Sequence, residues 1–274
     1  MKKLIVLFLL SMSFVTHSMD IFKACEGGDI AQVNELIVQG VDLNSRNQDN
    51  LTALHIAAIN GHLDIMKILL GTGIDINAVD QNCHTALHVA VLNKQDAIVE
   101  LLLQKNPVIN VVTQSGVSTL HVAAFKGHSA LVQFLLDKGV AVDFSARDGC
   151  TASHCAAKNG HIEVVKLLLA RGASVNAMDQ NGYTALHVAV LNKQDAIVEL
   201  LLEKNPAINV VTPNGFTSLH TAAFNGHSAV VQFLLGHGVV VDILDKEGSK
   251  ALHYAAQKGY AEVIKLLLEK GASI

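Results

Sequence analysis

A 33-residue interval governs this chain. Thr52-Ala53-Leu54-His55 returns as Thr85-Ala86-Leu87-His88, Ser118-Thr119-Leu120-His121, Thr151-Ala152-Ser153-His154, Thr184-Ala185-Leu186-His187, Thr217-Ser218-Leu219-His220 and Lys250-Ala251-Leu252-His253. A second phrase keeps the same step, from Ile68-Leu69-Leu70 through Leu101-Leu102-Leu103 and onward to Leu266-Leu267-Leu268. Repetition at this interval excludes a fold built round one large irregular core. A unit of about 33 residues cannot bury its own apolar face, so neighbours must stack to make a continuous core.

Each recurring residue has a physical role. Thr52 is a good N-cap, accepting a backbone N–H at the start of a first helix. His55, three positions on, can return a hydrogen bond to the cap, a variant of the capping box. Ala53 takes the first helical position as an acceptable helix former. Ala57-Ala58 lets two helices approach closely, and Asn60-Gly61-His62 turns the chain, with Gly61 able to adopt a positive φ. A second helix from Leu63 to about Gly71 presents Ile65, Ile68 and Leu69 at helical spacing. Gly73 ends it, and residues 75–80 lead into a hairpin-like loop.

The interval and the pattern T-x-L-H-x-A-A…G-H…L-L-L…G-A-x-x-N together resemble the ankyrin repeat family over essentially all of residues 19–274. The resemblance implies an all-α solenoid of about eight helix-turn-helix units joined by hairpin-like loops. Units fall near 19–46, 47–79, 80–112, 113–145, 146–178, 179–211, 212–244 and 245–274. It also implies that hairpin tips and first helices line a concave side. The first unit, Asp20 to Arg46, is degenerate, with Cys25-Glu26-Gly27-Gly28-Asp29 where the others carry the fuller motif. A terminal unit meets water on its outer face, so irregularity is expected there.

A larger duplication lies above the repeat: residues 80–143 are nearly copied by 179–242. Both copies replace the Gly-His turn with Lys94-Gln95 or Lys193-Gln194, and the Gly-Ala after the second helix with Asn106-Pro107 or Asn205-Pro206. Asparagine tolerates the left-handed conformation and can stand in for glycine, whereas lysine there predicts local strain or a shifted turn. Ser153 occupies a core position held by leucine in the other units, and marks the fifth unit as a soft point.

The N-terminus reads differently. Lys2-Lys3, the unbroken apolar run Leu4–Leu10 and the small residues around Thr16-His17-Ser18 have the layout of a secretory signal peptide over residues 1–18. The apolar core is too short to span a bilayer comfortably, and no later segment is long enough to do so. An exported chain, periplasmic or secreted, is expected. The alternative is a start at Met19, or an uncleaved segment, leaving the chain in the cytoplasm. With a net charge of −4 and no basic run, nucleic acid is not the expected partner.

Chemistry-bearing patterns are explained by structure. Of fourteen histidines, seven belong to the T-x-L-H phrase and four (His62, His128, His161, His227) to the Gly-His turn. Cys150, His154 and Cys155 form the best remaining metal candidate but lack a fourth ligand. Cys25, Cys83, Cys150 and Cys155 are irregularly spaced, without a CxxC pair, and are expected to be reduced. No phosphate loop, nucleophile elbow or H-E-x-x-H helix is present, and Asp80, Asp179 and Asp245 recur as turn residues. No enzyme activity, catalytic residue, metal or other cofactor is expected.

Where the framework is fixed, information lies in the columns that vary. The hairpin tips give Leu51, Val117, Tyr183 and Phe216, and the first helices give Ile59, Phe125, Leu191 and Phe224. These eight residues are the candidate partner-binding row of a non-catalytic protein–protein interaction scaffold, since exposed apolar and aromatic groups mark interfaces. The rival reading is a structural or self-associating repeat protein. A monomer is expected, with end-to-end stacking as the alternative. Cleavage after Ser18 would leave a chain beginning at Met19. The intact mass of protein purified from its native compartment checks this, and a mass that includes residues 1–18 overturns it.

Overall fold

The computed structural model describes residues 20–274; the segment assigned above to a signal peptide, and Met19, lie outside them. Sixteen helices follow one another in pairs among the described residues, with no strand. They are α1 (20–27) and α2 (Ile30–Val38), α3 (Ala53–Asn60) and α4 (Leu63–Leu70), α5 (Ala86–Leu92) and α6 (Asp96–Gln104), and α7 (Thr119–Lys126) and α8 (Ser129–Asp137). The series continues with α9 (Ala152–Lys158) and α10 (Ile162–Ala170), α11 (Ala185–Leu191) and α12 (Asp195–Leu202), α13 (Ser218–Phe224) and α14 (Ser228–Gly236), and α15 (Ala251–Lys258) and α16 (Ala261–Glu269). Isolated antiparallel bridges, Val79–Thr85, Val112–Ser118 and Met178–Thr184, close hairpin-like loops between pairs. The chain forms two compact units, one ending at Thr119 and the other running from Leu120 to Ile274.

In the first unit α3 packs on α5, and α4 packs on both α2 and α6. Its core is Ile21, Val33, Leu36, Leu54, Ile65, Met66, Leu69, Leu87, Ile98 and Leu102. Ile65 and Leu69 are buried as expected, but Met66 joins them and Ile68 is only half-buried. At 3.6 residues per turn, positions 65, 66 and 69 share one arc of the helix and 68 lies at its edge. In the second unit, α9, α11, α13 and α15 make one stacked row, and α8, α10, α12, α14 and α16 make another.

The T-x-L-H histidine joins these layers. The Thr52 N–H donates to His55 Nδ1 at 3.3 Å, and Thr52 Oγ1 lies 2.8 Å from the same nitrogen. Thr85–His88, Thr151–His154, Thr184–His187 and Thr217–His220 repeat the arrangement. On the other side of the ring, Nε2 reaches a carbonyl in the next hairpin: His55 to His84 at 3.0 Å, His121 to Cys150 at 3.0 Å, His154 to Tyr183 at 2.9 Å, and His220 to Ser249 at 3.3 Å. A carbonyl only accepts, so Nε2 carries the proton and Nδ1 accepts. One neutral ring thus caps its own helix and holds the following loop. His88 departs from this pattern, with Nε2 3.2 Å from the Thr119 hydroxyl.

The asparagine of G-A-x-x-N supplies a second link between neighbours. Asn44 and Asn77 accept the backbone N–H of Asp75 and Val108, at 2.9 and 2.8 Å. In the second unit Asn176 and Asn209 do the same for Ala207 and Val240, each at 2.8 Å. Asp143 and Asp242 replace the amide with a carboxylate and hold Ser174 and Ser273.

The duplicated turns are strained as expected. Lys94 and Lys193 sit at φ 55° and 57°, and Asn106 and Asn205 at φ 50° and 49°. The usual glycine serves here for two reasons. Its φ is positive, and the next unit lays a ring on it: a Cβ at Gly127 would come within 2.5 Å of His161, and one at Gly226 within 2.8 Å of Tyr260. His227 holds the equivalent place over Lys193. His161 Nε2 lies 3.0 Å from the Phe125 carbonyl, whereas both ring nitrogens of His227 are buried without a hydrogen-bond partner.

Ser153 is buried, and its hydroxyl has no partner. Ser153→Leu is therefore expected to stabilise the chain by about 2 kcal/mol, a rise of several degrees in melting temperature; an unchanged or lower value contradicts this register. Burial also holds the imidazoles of His55, His88, His121, His187 and His220 below the ordinary value of 6.5, with His88 and His187 at about 4. The unfolded chain then binds more protons below pH 6.5, so stability is complete above that pH and falls as pH drops from 6.5 toward 4. Urea midpoints that decline across this window are expected; a flat profile refutes the buried neutral rings.

Candidate functional site

The residues of the candidate row do not share one environment. In the first unit Leu51 and Val117 are half-buried at hairpin tips, and Ile59 is exposed at the end of α3. In the second unit Phe125, Leu191 and Phe224 are 42%, 50% and 40% exposed at the C-terminal ends of α7, α11 and α13. Tyr183 and Phe216, at the tips, are half-buried. Consecutive first helices α9, α11, α13 and α15 touch, so equivalent positions on them form a row.

The tip aromatics are partly consumed by packing. The Tyr183 ring meets His187 edge-on at 5.9 Å. Phe216 lies 5.5 Å from His220 and 5.2 Å from Tyr254, and Phe224 is 5.8 Å from the same tyrosine. Tyr254 was not singled out by the sequence analysis. It stands in the column where Ile56, Val89, Val122, Cys155, Val188 and Thr221 stand elsewhere, and an aromatic ring among these smaller residues was the available signal.

Tyr254 is held by its other end. Its hydroxyl donates to Asp245 at 2.5 Å, and the same carboxylate accepts the N–H groups of Glu247 and Ser249. Burial would raise the Asp245 pKa, but these hydrogen bonds outweigh it and keep it below the ordinary carboxylate value. The Asp245 bond, with burial, pushes the phenol up to about 12. Asp80 and Asp179 accept loop N–H groups in the same manner, which is the turn role their spacing indicated.

A further exposed apolar column was missed. Met178, Val211 and Leu244 each precede a hairpin tip, one repeat apart, and all three are exposed. Each lies outside the two recurring phrases. Two lysines at the ends of first helices also rest on aromatic rings: Lys126 Nζ is 5.6 Å from the Phe125 centroid, and Lys258 Nζ is 4.7 Å from that of Phe224.

Elsewhere the titratable groups are structural. Cys25, Cys83, Cys150 and Cys155 are free thiols. Burial pushes Cys25 and Cys150 to about 12 and Cys155 to about 11, far from the range of a reactive thiolate. Among the described residues no group of three or more His, Cys, Asp or Glu is placed to hold a metal ion, and no helix is long and apolar enough to cross a membrane.

Stacked helix pairs, fixed framework residues and variable exposed columns define a helical-repeat solenoid of the kind that presents a surface. The family model described as "Ankyrin repeats (3 copies)" matches residues 21–115, 120–212 and 204–274, so the chain belongs to the ankyrin repeat family. Curated relatives match over short stretches only. The chain is 46% identical to palmitoyltransferase AKR1 of Debaryomyces hansenii over 52 residues, 19% of this chain and 6% of that protein. It is 45% identical to palmitoyltransferase Hip14 of Drosophila melanogaster over 51 residues, 19% of this chain and 8% of the other. It is 49% identical to serine/threonine-protein kinase 12 of Arabidopsis thaliana over 43 residues, 16% and 9% of the two chains. The chain thus spans less than a tenth of these relatives, and each match covers fewer than two repeats. The likeness concerns the repeat; the activities in those names belong to those proteins.

Proposed function

We propose that this chain is a non-catalytic protein-binding module that takes its partner on the face formed by the first helices and hairpin tips. Ankyrin repeats are protein-interaction modules in general. The observation that carries the reading is the exposure of Phe125, Leu191 and Phe224, large apolar groups at equivalent positions at the ends of first helices. Aromatic side chains at such positions supply much of the energy of protein interfaces. Half-buried Tyr183 and Phe216 would form the wall of that face, braced by Tyr254, with Leu51, Ile59 and Val117 as its counterpart in the first unit. The N-terminal segment supports an exported setting for this interaction.

A second reading, stacking against a further repeat or another copy, draws on α15 and α16. His253 and Ala256 are exposed where their counterparts, such as His55 and Ala58, are buried, and Leu268 is exposed as well.

The test begins with cross-linking and capture in the native compartment, followed by affinity measurement with the identified partner. Joint replacement Phe125→Ser, Leu191→Ser and Phe224→Ser is expected to weaken binding by at least about 30-fold, as loss of a hot spot does, with helicity unchanged. Undiminished binding by this variant sinks the proposed face. Capture only of further copies of the chain, lost on Leu268→Glu, selects the stacking reading instead.

A further inference from the structure

In the helices of the second unit the acidic residues fall in one layer. Its first helices, residues 119–126, 152–158, 185–191, 218–224 and 251–258, contain no aspartate or glutamate. Its second helices carry Asp137, Glu163, Asp195, Glu199, Glu262 and Glu269, all exposed, beside Lys166 and Lys265. The chain as a whole is acidic, so the first-helix face runs against the average.

Four lysines occupy that face or its rim. Lys126 and Lys258 end α7 and α15 beside the apolar column, Lys158 stands in the column itself between Phe125 and Leu191, and Lys193 sits in the turn after α11. Lys158, Lys193 and Lys258 are exposed, and among the described residues none of the four makes an ion pair. The ammonium groups of Lys126 and Lys258 lie instead over the rings of Phe125 and Phe224.

The hairpin tips offset this charge only in part. Arg147, Lys246 and Lys250 stand against Asp148, Asp179, Asp245 and Glu247. Three of those four carboxylates keep their charge but are held in their own turns: Asp148 accepts the Cys150 N–H, Asp179 those of Asn181 and Tyr183, and Asp245 those of Glu247 and Ser249. What remains is an apolar row, Phe125, Leu191 and Phe224, interrupted by Lys158 and flanked by Lys126, Lys193 and Lys258.

We propose that the partner engages the second unit through an acidic segment bearing apolar side chains, its carboxylates meeting Lys126, Lys158, Lys193 and Lys258 while its apolar groups cover Phe125, Leu191 and Phe224. This rests on the protein-binding reading above and adds the partner's chemistry. Complementary charge selects the partner and speeds its arrival, and the apolar contacts hold it. A cation already seated on an aromatic face gives a carboxylate a placed counter-charge with little further ordering. Nucleic acid would answer the same lysines, but the face offers apolar groups between the charges and no basic run to track a phosphate backbone.

The test pans a random 16-residue peptide display library against the full chain, then measures selected synthetic peptides by fluorescence anisotropy, with a 20-nucleotide single strand beside them. Enriched peptides are expected to be acidic and apolar, to bind about tenfold more weakly to the variant carrying Lys126→Gln, Lys158→Gln, Lys193→Asn and Lys258→Gln, and to weaken as salt rises. Should that variant lose helicity, the pair Lys158→Glu and Lys258→Glu repeats the measurement. Enrichment of neutral or basic peptides whose binding needs Phe125 and Phe224 overturns the acidic partner and leaves the protein-binding reading intact. Failure to enrich any peptide sensitive to Phe125 or Phe224 counts against that reading itself. Tighter binding of the oligonucleotide, lost in the same lysine variant, overturns the proposal in favour of nucleic acid.

Discussion

A neutral imidazole buried between neighbours is the interaction on which the stack depends. In His55, His154 and His220 one nitrogen caps the helix in which the residue sits and the other holds a carbonyl of the next hairpin. Apolar burial brings helix pairs together but is indifferent to small slips along the stack. A ring with one accepting and one donating nitrogen fixes the offset, because each end has a single partner of the right kind. The Asn and Asp residues that reach into the next loop do the same at the far end of each unit. Burial supplies most of the driving force, and these directional contacts set the register.

Such an array tolerates local faults because each unit contacts only its neighbours. Lys193 in a left-handed turn and Ser153 at a leucine position each weaken one junction, and the units beyond are untouched. Lys94 and Lys193, thirty-three times three residues apart, carry the same fault because they descend from one block that was duplicated. The strain is inherited: both lysines hold the left-handed conformation that the other units give to glycine.

The same division explains how a rigid scaffold carries a variable surface. Core leucines, alanines, caps and turn glycines are committed to stacking. The ends of the first helices and the hairpin arms are left to differ, and there the chain places Phe125, Lys158, Leu191 and Phe224. The first helices of the second unit carry lysines and no acidic residue, a sign opposite to the net charge of the chain.

The linear sequence determined the repeat, the helix pairs, the capping histidine and the left-handed asparagines and lysines, because each follows from contacts within one unit or from its copy at a fixed interval. It also placed the exposed residues of the first helices, since Phe125, Leu191 and Phe224 lie just beyond the buried Ala-Ala or Ala-Val of their own helices. It did not reveal that Phe216 and Phe224 share Tyr254, that Met66 takes the place expected of Ile68, or that Met178, Val211 and Leu244 stay uncovered. Those depend on which side chain of one unit meets which side chain of the next. Repeat spacing brings the units side by side, but only the stacked structure decides how far each ring leans into its neighbour and therefore which apolar groups remain free for a partner.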